Sequence, residues 1–205
     1  MAARSEAPRE RRTERTREDI LLATARALAR TGFTRVTMSD IAAEAGYTVP
    51  SLYAYFSSKE QIVEALRAML MSEVLAIFEE TFPEGLTSAQ RLELLVRRLF
   101  AITDRRKEAL AAFMSLPAVD ADQLSGRDLM HRRLARWFRD NEPRLARQGK
   151  QPGRVLATAL LGLCEAFLKE GLTSNSRAMF VPQAPLVADL FLHGASSQLG
   201  PRQRG

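Results

Sequence analysis

The sequence predicts an all-α protein: an N-terminal three-helix helix-turn-helix unit followed by a larger helical body. Two observations carry this expectation. Apolar residues recur at helical intervals along nearly all of the 205-residue chain, with no alternating strand pattern, internal repeat or low-complexity block. Between Thr37 and Glu60, hydroxyl-bearing caps, a turn glycine and short apolar runs follow one another too closely for long elements.

Residues 1–15 read as a disordered basic arm, because Arg4, Arg9, Arg11 and Arg12 crowd a segment without an apolar stripe. Helix one is expected from Thr16 to Thr31, with Ile20, Leu21, Ala25 and Leu28 facing inward and Gly32 ending it. Phe33 and Val36 are expected to plug the small core. Thr37 with Asp40, and Ser57 with Glu60, fit the spacing in which a hydroxyl and a carboxylate satisfy orphan backbone donors at a helix start. Thr48 is the expected N-cap of a short helix over Val49–Phe56, with Pro50 in its first turn, and Gly46 marks the sharp turn before it.

Helix four begins near Ser58 and carries Ile62, Val63, Leu66, Met69, Leu70, Val74 and Ile77 before Pro83 and Gly85 stop it. At about 23 residues, or roughly 35 Å, it is too long to bury itself within a three-helix module. It is therefore expected to bridge two domains, residues 16–61 and residues 62–199. Further amphipathic helices are expected over Ser88–Asp104, Lys107–Leu116, Arg127–Asp140 and Arg154–Glu170, with a last one through Leu186, Val187, Leu190 and Phe191. The stretch Ala118–Ser125 is the expected hinge, and residues 200–205 form a basic tail.

Composition narrows the function. With 46% hydrophobic residues the chain can bury a substantial core, and its formal charge of +6 suits a polyanionic partner. The N-terminal arginines, Arg15 and Arg17 included, read equally well as a solvated flank or as a phosphate-touching arm. The lone Cys164 excludes an intramolecular disulfide framework and suits a reducing cytoplasm; it reads as a small buried hydrophobe in preference to a redox sensor. No apolar run is long enough to cross a bilayer, and the charged N-terminus lacks the core of a signal peptide. His131 and His193 stand alone, so no metal site is expected, and no cofactor either. No Ser/His/Asp or Cys/His set, phosphate-binding glycine loop or metal-spaced carboxylate cluster points to an enzyme.

What remains is the short helix offered outward by a tight turn, the geometry that enters a DNA groove. A reading helix needs short side chains at its start so that the backbone can approach base edges, and Thr48, Val49, Pro50 and Ser51 meet that need. Val49 and Pro50 can touch only thymine methyls or sugars. Ser51, with Thr37 and Ser39 from the preceding helix, supplies polar contacts to bases or phosphates. With so few long polar side chains, discrimination is expected to lean on groove shape and on residues such as Arg35.

Residues 16–66 resemble the DNA-binding region of the tetracycline-repressor (TetR) family of bacterial regulators. The resemblance rests on Ile20-Leu21 and Ala25, Gly32-Phe33, Ile41-Ala42 with Ala45-Gly46, Leu52-Tyr53 with Phe56, and Ser58-Lys59-Glu60. It covers about a quarter of the chain; the remainder matches the family only in length and helical pattern. The resemblance implies that Tyr53 hydrogen-bonds a phosphate, that Tyr55 often does so too, and that Lys59 clamps another. Against these stand simpler readings, Tyr55 packed between helices and Lys59 a solvated charge. Leu52 and Phe56 are expected in the core.

One such module binds weakly at physiological salt, so a homodimer on a palindromic double-stranded operator is expected. By resemblance its seam is a four-helix bundle from Arg154–Glu170 and Pro185–Leu199, with Gly162, Ala166, Leu190 and Gly194 allowing close approach. Glu165 and Lys169 then form a surface pair. Phe100, Phe113, Met114, Met130, Trp137 and Phe167 are candidates to line a pocket for a small apolar or aromatic effector, although packed core is the commoner role of such residues. The reading is a ligand-responsive regulator, a repressor in the family's commoner mode. An activator of the same fold, or a helical dimeric interaction protein without DNA binding, is the alternative.

Overall fold

The computed structural model describes residues 3–115, 120–146, 152–173 and 179–194. Among these residues the chain forms α1 (Ala3–Thr31), α2 (Met38–Ala45), α3 (Val49–Tyr53), α4 (Lys59–Ile77), α5 (Ser88–Arg105), α6 (Lys107–Ser115), α7 (Asp120–Asn141), α8 (Pro143–Ala146), α9 (Pro152–Thr173) and α10 (Ala184–His193). A single 3-10 turn, Val181–Gln183, precedes α10, and no strand occurs among the described residues.

Several elements differ from expectation, each for a local reason. α1 starts at Ala3, not Thr16, so residues 3–15 are helical where a disordered arm was expected. Arg4, Arg9, Arg11, Arg12, Arg15 and Arg17 are nearly balanced by Glu6, Glu10, Glu14, Glu18 and Asp19, and both residue types favour helix. α3 stops at Tyr53, and Phe56 is reached through a turn in which the Tyr55 and Phe56 amides donate to the Leu52 carbonyl at 3.0 and 3.1 Å. α4 ends at Ile77; the amides of Phe78, Glu79 and Glu80 bond three residues back, a tightened last turn where more α-helix was expected. α7 begins at Asp120, so part of the expected hinge is helix: Asp120 and Asp122 favour a helix start, and one Gly126 does not break it. Residues 116–119, 195–199 and the tail 200–205 lie outside the described residues.

The chain divides into two units, Met1–Met71 with Glu108–Ala118, and Ser72–Lys107 with Val119–Gly205. The expected boundary after residue 61 thus moves to 71, and α6 joins the N-terminal unit. In unit one, Ile20, Ala25, Leu28, Val36, Ile41, Leu52, Phe56, Ile62 and Leu66 share one buried cluster, to which α6 adds Ala109 and Ala112. Full burial of a leucine or phenylalanine contributes roughly 1.5–3 kcal/mol, so this cluster outweighs the weak intrinsic stability of helices as short as α2 and α3. Glu44 ties α2 to α1, accepting from Arg26 at 2.7 Å and Arg30 at 2.6 Å. These two guanidiniums hold the Glu44 carboxyl below its ordinary range.

In unit two, α7 packs on α9 and α5 on α10 around Leu92, Leu95, Val96, Phe100, Leu134, Trp137, Phe138, Leu160 and Val187. Its polar ties span long stretches of sequence. Buried Glu142, beyond α7, accepts from Arg91 Nε at 2.6 Å and from the Ser88 hydroxyl at the start of α5. Asp104 near the end of α5 accepts from the amides of Phe180 and Val181 at 2.8 and 3.0 Å, which fixes the 3-10 turn. Cys164 is buried here as a small apolar residue, and burial pushes its thiol up to about 12. No helix among the described residues is long and apolar enough to cross a membrane.

Candidate nucleic-acid interface

The site is built from three helix starts and one turn. At α2, the capping box expected from Thr37 and Asp40 forms. The Asp40 amide donates to Thr37 Oγ1 at 3.2 Å, and the Thr37 amide and hydroxyl donate to Asp40 Oδ2 at 2.9 and 2.6 Å. The Thr37 hydroxyl bond, then its amide bond, lowers the Asp40 pKa. Gly46 then takes a left-handed conformation, φ 74°, and its amide donates to the Ala42 and Ala43 carbonyls. A side chain at that φ would be strained even though the space beside it is open.

Thr48 caps α3: the Ser51 amide donates to Thr48 Oγ1 at 3.3 Å, and the two hydroxyls share a hydrogen bond of 2.8 Å. One hydroxyl proton serves that bond, which leaves the other proton and several lone pairs for a groove. Leu52 and Phe56 are buried as expected, fixing α3 from beneath. The third helix start departs from expectation. Ser58, not Ser57, caps α4: the Gln61 amide donates to Ser58 Oγ at 3.1 Å, while Gln61 Oε1 accepts from the Ser57 amide at 2.7 Å. Ser58 and Gln61 fit the same cap spacing as Ser57 and Glu60, and the amide side chain of Gln61 closes back on the turn.

Above this frame lies a surface of short polar and aromatic side chains. Thr37, Ser39, Thr48, Pro50, Ser51 and Tyr53 are exposed, and Val49, Tyr55 and Lys59 are half-buried. Tyr53 is 52% exposed although large, an arrangement unhelpful to folding and suited to an external partner. The Tyr55 ring leans on Tyr47 in the turn before α3, with centroids 6.4 Å apart, and both are partly buried against the core of unit one. Lys59 is not merely solvated. Its ammonium donates to the carbonyls of Phe33 at 3.0 Å and Val36 at 3.2 Å and lies over the Phe33 ring. An ammonium has three protons, so one remains for a phosphate. Arg35 is exposed and donates to the Thr31 carbonyl.

Arg17 plays a part that sequence reasoning missed. Its guanidinium donates to the Tyr55 carbonyl at 2.8 Å and covers the Phe56 ring at 4.2 Å, bracing the turn that follows α3. The partners lie 38 residues apart, so no local pattern signals them.

The remaining candidates fall in both units. Phe100, Trp137, Met130 and Phe167 belong to the core of unit two. Phe113 packs against the core of unit one, and Met114, 36% exposed, lies in that unit too. The six expected pocket residues therefore do not share one cluster; α6 turns its apolar side into unit one. On α9, Gly162 and Ala166 are exposed in line with Ala159 and Val155, the last 63% exposed. On α10, Leu190 is half-buried, Leu186 is 39% exposed, and Gly194 follows the helix as its C-cap. Among the described residues no group of His, Cys, Asp or Glu could hold a metal ion.

Residues 20–66 match the model of the tetR family of bacterial regulatory proteins. The transcriptional repressor KstR2 of Rhodococcus jostii is 31% identical over 97 residues, 47% of this chain and 48% of that protein. The chain spans about half the length of the curated relatives it matches. Its fold is that of solved regulators: FadR of Bacillus subtilis in complex with stearoyl-CoA, with TM-score 0.71, 18% identity and coverage of 86% of this chain and 98% of that one. FadR of Bacillus halodurans gives TM-score 0.73 at 16% identity, covering 88% and 96%. Residues 20–66, set on the capped three-helix frame described above, are thus similar to the tetR family of bacterial regulatory proteins.

Proposed function

We propose that the chain is a homodimeric, effector-responsive transcription regulator, not an enzyme, that reads a palindromic operator through the exposed face of α2 and α3 and acts as a repressor. The observation that carries this reading is the outward display of Thr37, Ser39, Thr48, Pro50, Ser51 and Tyr53 on helices whose inner faces are fully buried. Thr48, Val49, Pro50 and Ser51 approach bases in the major groove; Tyr53, Lys59 and, less directly, Tyr55 position the unit on phosphates. Lys59 acts doubly, ordering the Phe33–Val36 turn while offering its remaining proton outward.

A twofold pair supplies the grip that one module lacks. Val155, Ala159, Gly162 and Ala166 make an exposed stripe of small and apolar residues on α9, and Leu186 and Leu190 extend it on α10. That stripe supports a seam of two helices from each protomer. Unit two is the effector-binding unit in this reading. The indole N–H of Trp137 is buried without a hydrogen-bond partner among the described residues, which suits an apolar ligand carrying one acceptor. Helix α4 contributes residues to both units, so an effector that biases it shifts DNA affinity; a coupling of ~1–3 kcal/mol corresponds to ~5–150-fold.

The test is a gel shift of purified protein on the DNA upstream of its own gene, followed by footprinting. The reading predicts two symmetric half-sites about 34–36 Å or one helical turn apart. A dimer that retains no duplex would instead identify a helical interaction protein.

A further inference from the structure

A groove of about 610 Å³ lies in unit two, lined by the outer face of α7 and the start of α9. Five of its lining residues are arginines: Arg132, Arg133, Arg136, Arg139 and Arg154. No carboxylate lines it. Two carboxylates at its margins are shared among three of the arginines: Asp128 pairs with both Arg132 and Arg154, and Glu79 pairs with Arg133. Arg136 and Arg139, both exposed, have neither hydrogen bond nor ion pair among the described residues. Three guanidiniums' worth of charge is thus left uncompensated in one concavity, counting five arginines against two carboxylates.

The walls are built to hold that arrangement. Gly153, on α9, is buried so closely against α7 that a Cβ there would stand 3.1 Å from the Ala135 carbonyl oxygen. The start of α9, with Arg154, is thereby held against the arginine-bearing face of α7. Leu129, Ala135 and Ala146 add apolar lining between the arginines.

We infer that this groove binds a compact polyanion bearing several phosphate groups, at a site separate from the DNA-reading face. Guanidiniums present planar pairs of donors that match phosphate oxygens two at a time, and several phosphates in one molecule relieve the mutual repulsion of the unpaired arginines. A monovalent carboxylate answers only a fraction of the charge. The chemistry is shared by a free inorganic polyphosphate and by the triphosphate end of a nucleotide, and the experiment separates these sources.

The experiment is calorimetric titration of the intact protein with inorganic tripolyphosphate, with ATP, and with orthophosphate as the reference. Tripolyphosphate is expected to bind at least tenfold more tightly than orthophosphate, more weakly as salt rises. R136A/R139A is expected to lose at least tenfold in that affinity while keeping its helical circular dichroism, since neither side chain contributes to the core. R11A/R12A removes the same charge from unit one and is expected to change affinity less than twofold. Tripolyphosphate and ATP binding alike assigns the site to the phosphates alone, and tighter ATP binding assigns it to a nucleotide. Affinity no better than orthophosphate, or loss only in R11A/R12A, overturns the proposal. So does unchanged binding in R136A/R139A.

Discussion

The two units use the same kind of helix but secure it differently. In unit one the helix starts are fixed by partners three residues away: Thr37 with Asp40, Thr48 with Ser51, Ser58 with Gln61. In unit two the ties that set the architecture join distant segments: Arg91 to Glu142, 51 residues on, and Asp104 to the amide of Phe180, 76 residues on. A unit made of short helices needs each element preformed, because short helices have little stability of their own. A body of long helices leans less on such caps, of which Thr87 and Gln90 form one at the start of α5, and its long-range polar contacts decide which helices lie together. Unit one therefore tolerates little change in its turns, and unit two little change in its crosslinks.

Substitutions sharpen this contrast. The largest effect is expected for Glu142→Ala, which removes the buried carboxylate that half-buried Arg91 donates to and frees the Ser88 hydroxyl, leaving Arg91 its bond to the Leu86 carbonyl. A loss of about 3 kcal/mol in the unfolding of unit two should follow, read by the fluorescence of Trp137, the only tryptophan in the chain. A change under half a kcal/mol would mean that the crosslink is dispensable and the contrast is false. Gly46→Ala comes next. The open space around it makes the cost one of backbone conformation alone, about 1–2 kcal/mol, with operator affinity falling more than overall helicity.

Thr48→Ala should cost about 1 kcal/mol by uncapping α3, and Thr48→Ser should restore it because the hydroxyl alone is needed. If both variants behave alike in thermal unfolding, the cap is not what orders α3. The smallest effect belongs to Lys169→Ala on α9, less than about 0.5 kcal/mol, since Lys169 and Glu165 form an exposed i,i+4 pair. Lys169, then Arg127, holds the Glu165 carboxyl below its usual 4.5. The pair's contribution is therefore complete above that pH and fades as pH falls below it, so the variant and parent stabilities should converge in acid.

The same contrast explains what was legible in the sequence. Caps and inward stripes are local, so Thr37–Asp40, Thr48, Gly46, Ile20, Leu52 and Phe56 all stand where their spacing placed them. The cap of α4 slipped by one residue because Ser57 and Ser58 both satisfy the pattern, and only the closing contact of Gln61 decides between them. Helix α1 extends beyond its apolar stripe because the arginines and acids of residues 3–15 favour helix without one. Long-range partners leave no such trace. Nothing near Arg17 foretells Tyr55, and nothing in α6 foretells that Phe113 sides with unit one while Phe100 sits in unit two. The arginines of α7 were visible singly, but their convergence with Arg154 depends on how α7 meets α9.

The central claim is that Val49–Tyr53 enters a DNA groove while its neighbours hold the phosphates, and a paired titration tests it most directly. Affinities of the parent, Ser51→Ala and Lys59→Ala proteins are measured on an operator and on its single-base variants at several salt concentrations. Lys59→Ala should weaken binding to every duplex alike and lower the salt slope by about one unit, whereas Ser51→Ala should reorder the preference among duplexes. Equal, sequence-independent losses in both variants, or no loss in either, would contradict the assignment of this face to base reading.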